Sequence, residues 1–258
     1  MFAPKKELRE RELQDTVFSE ALRSALNEIL GNTFFKALEA TPISKEGYQR
    51  LVKEKYSAVG YFIPLLENAE KLAEPVSPEL AQVFRQNKHD ETGYFASAYH
   101  EEYAHATWRA RSLSTFGING PIVDGSVLDS TRRHNDLMSS VAESPDAYQV
   151  FGALLFLELF VVYEMKHLIR GFERDMPELF PKDGYSYDKF PFNTHEYWYG
   201  HALHDTWHYR QIEEKLKSAL MDVRPDDTRL TSLLAGIQKT KEAKEMLYSK
   251  ELTKTIRL

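Results

Sequence analysis

Three side chains in the run His201-Ala202-Leu203-His204-Asp205-Thr206-Trp207-His208 are spaced as metal ligands would be. On a helix, Asp205 lies about 40° to one side of His201 and His208 about 20° to the other. Two imidazoles and a carboxylate therefore leave one narrow face over two turns, a set that suits a borderline divalent ion such as iron. His204 falls about 60° off this face and reads as a supporting or helix-surface histidine. The bland account is a solvated polar face. Against it, Ala202, Leu203, Trp207 and Leu216 make a sparse core stripe unless the polar face also turns inward.

Two further signals lie upstream. Glu102 and His105, three apart, share one face on adjacent turns, a weak signal when taken alone. Glu158 interrupts an apolar run from Val150 to Tyr163, where an unpaired carboxylate is costly to bury. It is therefore a ligand candidate first and a salt-bridge partner second, with Glu164 as its competitor. Glu67, after Ile63, Leu65 and Leu66, either looks inward or is exposed. Together Glu102, His105, Glu158, His201, Asp205 and His208 supply three carboxylates and three imidazoles, an oxygen- and nitrogen-rich set fit for two irons on a helical scaffold. Zinc would fit some of these ligands but brings no redox chemistry.

The elements that must position these groups read as helices. One spans Asp15 to about Leu30 and ends at Gly31. A second opens at Ser44 and runs through Leu66, with a kink expected at Pro64. Ser77-Pro78 starts a third, reaching Leu113 with a break near Gly93. Residues 117–125 read as a loop, and a helix follows over about Leu128 to Val141. The most apolar helix runs from Asp146 to about Arg170, closed by Gly171. Residues 176–192 form an ordered loop, and Asn193 with Glu196 makes a capping box for the triplet helix, which continues to about Leu220. A last helix covers about Asp227 to Tyr248. Seven or eight helices without alternating strand patterns predict one all-α domain over residues 1–258.

Composition narrows the function. A net charge of -6 argues against nucleic acid or anionic membranes as partners. The absence of cysteine excludes disulfides, thiolate metal sites and thiol catalysis. The charged start, Met1 to Glu12, lacks a signal-peptide core, and no apolar run is long enough for a membrane span, so a soluble, cytoplasmic protein is expected.

The order and separation of Glu102-Tyr103-Ala104-His105, Glu158 and His201-x3-Asp205-x2-His208 resemble those of the heme-oxygenase-like diiron oxidases and oxygenases, over about residues 45 to 220. Spacing is most similar to the branch of the alkene-forming fatty-acid decarboxylase and the lysine-fragmenting oxidases. Some relatives place the first Glu seven residues before the first His, and that position is Ala98 here. The resemblance implies a seven-helix bundle that binds two Fe and no heme. Glu102, His105 and His201 would hold one iron, Asp205 and His208 the other, with Glu158 shared. Glu67 matches an extra ligand of the N-oxygenating members. The ferrous pair would be oxidised by dioxygen, with an external reductant for turnover, and the second iron would be gained only with substrate present.

What the resemblance favours is oxidation of an amino acid or similar small carboxylate by hydrogen abstraction, followed by desaturation or C–C cleavage. The runner-up is an N-oxygenase acting on an amine or guanidine-type nitrogen, because Glu67 is available. A non-catalytic helical interaction protein is the account from another class, and it leaves Glu158 without a reason. Thiamine-hydrolysing relatives use a cysteine nucleophile, which this chain lacks. Phe95, Tyr99, Trp108, Phe156, Phe160 and Tyr163 are candidates for lining a substrate pocket, although most would serve equally as core. Arg109, Arg132, Arg133 and Lys166 are candidate partners for a substrate charge. A homodimer is left open.

Overall fold

Side chains that cap their own helices set most of the boundaries in the computed structural model, which describes residues 18–95, 98–99, 104–119, 127–180, 196–220 and 227–257. The first helix, α1 (Ser19–Leu30), leads through Asn32 into α2 (Thr33–Ala40), and the Asn32 side chain accepts from the Phe34 and Phe35 N–H groups. Ser44 caps α3 (Lys45–Ser57) by accepting from the Gly47 N–H at 3.1 Å. Next comes α4 (Phe62–Ala73), and then Ser77 caps α5 (Pro78–Thr92), with Pro78 in the first turn where no N–H is needed. Gly93 ends α5 at φ 80°, a left-handed conformation that favours glycine.

A short antiparallel pair, β1 (Tyr94–Phe95) and β2 (Ala98–Tyr99), precedes α6 (His105–Thr115). The chain continues through α7 (Asp129–Ala142), α8 (Ala147–Asp175), α9 (Glu196–Ala219), α10 (Thr228–Leu247) and α11 (Lys250–Thr255). At the centre lies α8, packed against α4, α9 and α10 and buried on nearly every face. Among the described residues it is long and apolar enough to cross a membrane, but 78% of that stretch is buried inside the protein, as in a core helix.

Several expectations are corrected. Pro64 does not kink one long helix. The chain breaks earlier, between Ser57 and Phe62, and Pro64 falls in the first turn of α4, where its missing N–H costs nothing. Nor does Gly171 close α8, which runs on to Asp175. A Cβ at Gly171 would come within 2.6 Å of the Tyr48 hydroxyl, so the glycine lets Tyr48 seat against the helix and donate to Asp175 at 2.8 Å. The short helices α2 and α11 escape the periodicity reading because each is too brief to show a pattern. The Asn193 cap and the proline-rich stretch from 181 lie outside the described residues.

Candidate metal centre

The left-handed Gly93 turns the chain at the end of α5, and α6 then begins at His105. This reversal sets Glu91, in the last turn of α5, against the first residue of α6. Glu91 Oε2 and His105 Nδ1 lie 2.7 Å apart, at ion-pair distance. From α9, His201 completes the group, its ring 4.6 Å from that of His105. One donor atom from each of Glu91, His105 and His201 lies within 4.8 Å of the others.

Glu158, Asp205 and His208 form a second group at the same spacing, each only 3% exposed. Glu158 sits in the middle of α8, facing Asp205 and His208 on α9. His208 Nδ1 is 3.7 Å from Glu158 Oε2 and 3.8 Å from Asp205 Oδ1. The buried atoms Glu158 Oε1, Asp205 Oδ1 and His208 Nδ1 make no hydrogen bond. Buried polar atoms are normally paired, and a converging set left unpaired is what a metal ion would satisfy.

Outer partners orient the imidazoles. His201 Nδ1 faces the Tyr197 carbonyl at 2.5 Å, which fixes the proton there and leaves Nε2 for a metal. His208 Nε2 donates to Asp90 at 3.2 Å, which turns Nδ1 toward Glu158 and Asp205. Trp108 stacks on the His105 ring at 4.5 Å. With no thiolate, and two imidazoles with one carboxylate in the first group, the donor set fits ferrous iron and also admits zinc.

Of the residues the sequence singled out, His105, Glu158, His201, Asp205 and His208 are brought together here. Glu102 lies outside the described residues, and Glu91 supplies the carboxylate beside His105. Glu91 belongs to a polar run, His89 to Thr92, that looks like surface. A signal was present nonetheless, because Leu80, Phe84 and Asn87 are fully buried at helical spacing and Glu91 continues their stripe. Glu67 is exposed on α4 and belongs to neither group, because Leu65, Leu66 and Ala69 form the inward face there. Glu164 is buried, but it is taken by Lys55 at 2.5 Å.

A cavity of about 420 Å³ adjoins both groups, with Glu91, His105, Glu158, His201 and Asp205 on its wall. Arg109 lines it. Phe156 does not, being in the core against Phe160, and Tyr163 is 37% exposed with Lys166 over its ring. Arg132 pairs with Asp129 and Arg133 is exposed on α7, so both serve the surface. The side chains of Phe95, Tyr99 and His204 lie outside the described residues.

Comparison with known proteins points to the fold alone. No protein-family model matches the chain, and no curated protein matches it either. A CADD-like protein of unknown function from Nostoc punctiforme PCC 73102 superposes with a TM-score of 0.64 at 16% identity, covering 93% of this chain and 98% of its own. A domain of unknown function with a heme oxygenase-like fold, from Shewanella denitrificans OS217, gives a TM-score of 0.65 at 13% identity, covering 94% of each chain. This chain has a heme-oxygenase-like fold. Within that heme-oxygenase-like bundle, four helices supply the six donor residues, α5, α6, α8 and α9.

The charges in the heme-oxygenase-like core constrain how a metal enters. Burial pushes Glu91 up, but the His105, His201 and His208 imidazoles outweigh it and hold its carboxyl at about 2. Burial, with His105 nearby, pulls His201 down to about 3. Asp205 is raised by burial and by the Glu158 charge, and Glu158 is raised by burial. For His208, burial acts downward, but Asp90, Glu158 and Asp205 outweigh it and lift the imidazole. Glu158, Asp205 and His208 thus hold protons more tightly than free side chains, and a divalent ion must displace them. Adding Fe2+ or Zn2+ in weak buffer is expected to release protons, and affinity should fall as the pH falls. Uptake with no proton release and no pH dependence would mean that these groups do not bind the ion.

Proposed function

We propose that the protein is a non-heme diiron oxidase that uses dioxygen to oxidise an amino acid or similar small carboxylate by hydrogen abstraction, ending in desaturation or C–C cleavage. The observation that supports it is the pair of converging donor groups on one cavity, with Glu158 Oε1, Asp205 Oδ1 and His208 Nδ1 buried and unsatisfied. Glu91, His105 and His201 would hold one iron, and Glu158, Asp205 and His208 the other. When bound, a ferrous pair supplies the electrons that dioxygen activation requires, and an external reductant restores them.

The chain's own residues prepare the site. The Tyr197 carbonyl and the Asp90 carboxylate orient the His201 and His208 rings, so that His201 Nε2 and His208 Nδ1 face the donor groups. Trp108 braces His105 from the side. Val59, Phe62, Ile63, Leu157, Val161 and Met165 give the cavity an apolar wall, which excludes water from the reacting carbon and strengthens every charge interaction inside. N-oxygenation drew its support from Glu67, which faces solvent. A helical interaction module would leave the buried donors without a purpose.

The test is metal content and oxygen uptake of iron-reconstituted protein, screened against free amino acids and medium-chain fatty acids with product masses recorded. Substrate-triggered uptake with loss of carbon or of two hydrogens supports this reading. A product gaining oxygen on nitrogen would replace it with the N-oxygenase. Protein that binds no iron and consumes no oxygen would end both.

A further inference from the structure

Lys244 is buried, 4% exposed, and lies on the cavity wall. Its ammonium reaches the Tyr61 hydroxyl at only 3.5 Å and sits 5.6 Å from the Phe160 ring. Among the described residues it makes no ion pair. Lys55, also on the wall, is 5% exposed and pairs with Glu164 at 2.5 Å. Tyr248 donates to the same Glu164 oxygen. His134, packed between the Ala243 and Ala58 carbonyls, adds no charge, because burial pulls its imidazole down to about 3. Glu164 is the carboxylate at ion-pair distance from Lys55, and Asp205 on the same wall acts on Lys55 over a longer range. Among the described residues Lys244 has no counter-charge at ion-pair distance.

A desolvated cation without a counter-charge is costly, and here burial pulls both ammonium groups below the usual lysine range. An anion entering the cavity would complete the set. Position says which part of a ligand that would be. Glu164, which marks the lysine level, lies six residues along α8 from Glu158, or roughly 9 Å of helix. Between them Val161 lines the cavity, with Leu157 and Met165 on the same wall.

We infer that Lys244, with Lys55 beside it, anchors the substrate's carboxylate away from the metal ligands, so that the carbon chain crosses the apolar wall and presents a carbon rather than the acid group to Glu158 and Asp205. This rests on the cavity being the substrate site proposed above. It deepens that reading by specifying a carboxylate with a chain of several carbons. Arg109 also lines the cavity but is half-buried, so water can solvate it.

The test is calorimetric binding of octanoate and of octanol to metal-free, full-length protein, so that iron cannot serve as the anchor. Wild-type protein is expected to prefer octanoate. Lys244→Met, close in length and apolar, should weaken octanoate roughly ten- to a hundredfold while leaving octanol unchanged. Arg109→Gln should weaken octanoate less than Lys244→Met does. Equal binding of octanoate and octanol by wild-type protein overturns the anchor, and so does a loss that follows Arg109 instead. If Lys244→Met fails to fold, the wild-type comparison and Arg109→Gln still decide. Protein that prefers octanoate but takes up no iron leaves the anchor standing and removes the oxidase, whereas iron uptake without octanoate binding does the reverse.

Discussion

Replacing Glu91 with alanine is expected to leave protein reconstituted with iron and substrate about one ferrous ion per chain short of wild type and, on the diiron reading proposed above, to abolish substrate-triggered oxygen uptake. The loss should exceed the roughly 10–100-fold that even an outer partner of a ligand costs, because Glu91 provides the carboxylate of the group with His105 and His201. Glu102→Ala is the paired control. Spacing alone favours Glu102, three residues before His105, whereas the fold puts Glu91 2.7 Å from the His105 imidazole. Iron counted per chain in the two variants separates them. A defect that follows Glu102 and spares Glu91 would restore the spacing-based assignment. The substitution at Glu91 should not unfold the bundle, since it removes a charge from a buried cluster rather than a packing residue.

The second large effect concerns stability. A Cβ at Gly152 would fall well inside contact with the Leu233 carbonyl oxygen, and one at Gly236 well inside contact with that of Gln149. Here α8 and α10 approach backbone to backbone, and neither neighbour is a flexible side chain that could swing away. Gly152→Ala or Gly236→Ala must push the helices apart, at a cost of about 3 kcal/mol, the upper end of ordinary overpacking. For a chain of this size that lowers the melting temperature by roughly 6–12 °C. The same shift would move Lys244 on α10 relative to Glu158 on α8, so binding at the cavity should weaken alongside stability. Thermal unfolding of both variants checks it, and a change under about 2 °C would mean that the crossing is looser than drawn.

Much of the site is local information. His201, Asp205 and His208 share one face because a helix repeats about every 3.6 residues, and nothing distant is needed to see it. Glu158 is conspicuous because it breaks an apolar run, and burial of that run follows from its composition. Ser44, Ser77 and Gly93 mark element ends through capping and left-handed geometry, which are equally local. The all-helical class follows from the same periodicities.

Other features depend on which elements meet. Glu91 is a polar residue in a polar run until Gly93 and the short hairpin turn α6 back against α5. Lys244 lies among Lys241, Glu242 and Glu245, a stretch that reads as solvated surface, and only the packing of α10 against α7 and α8 turns it inward. Gly171 looks like a helix stop, yet its role is to receive Tyr48 from another helix. Periodicity tells which side chains share a face. Which face is buried, and which charges are left there to find partners, is settled by contacts between residues far apart in the chain, and only the tertiary structure contains them.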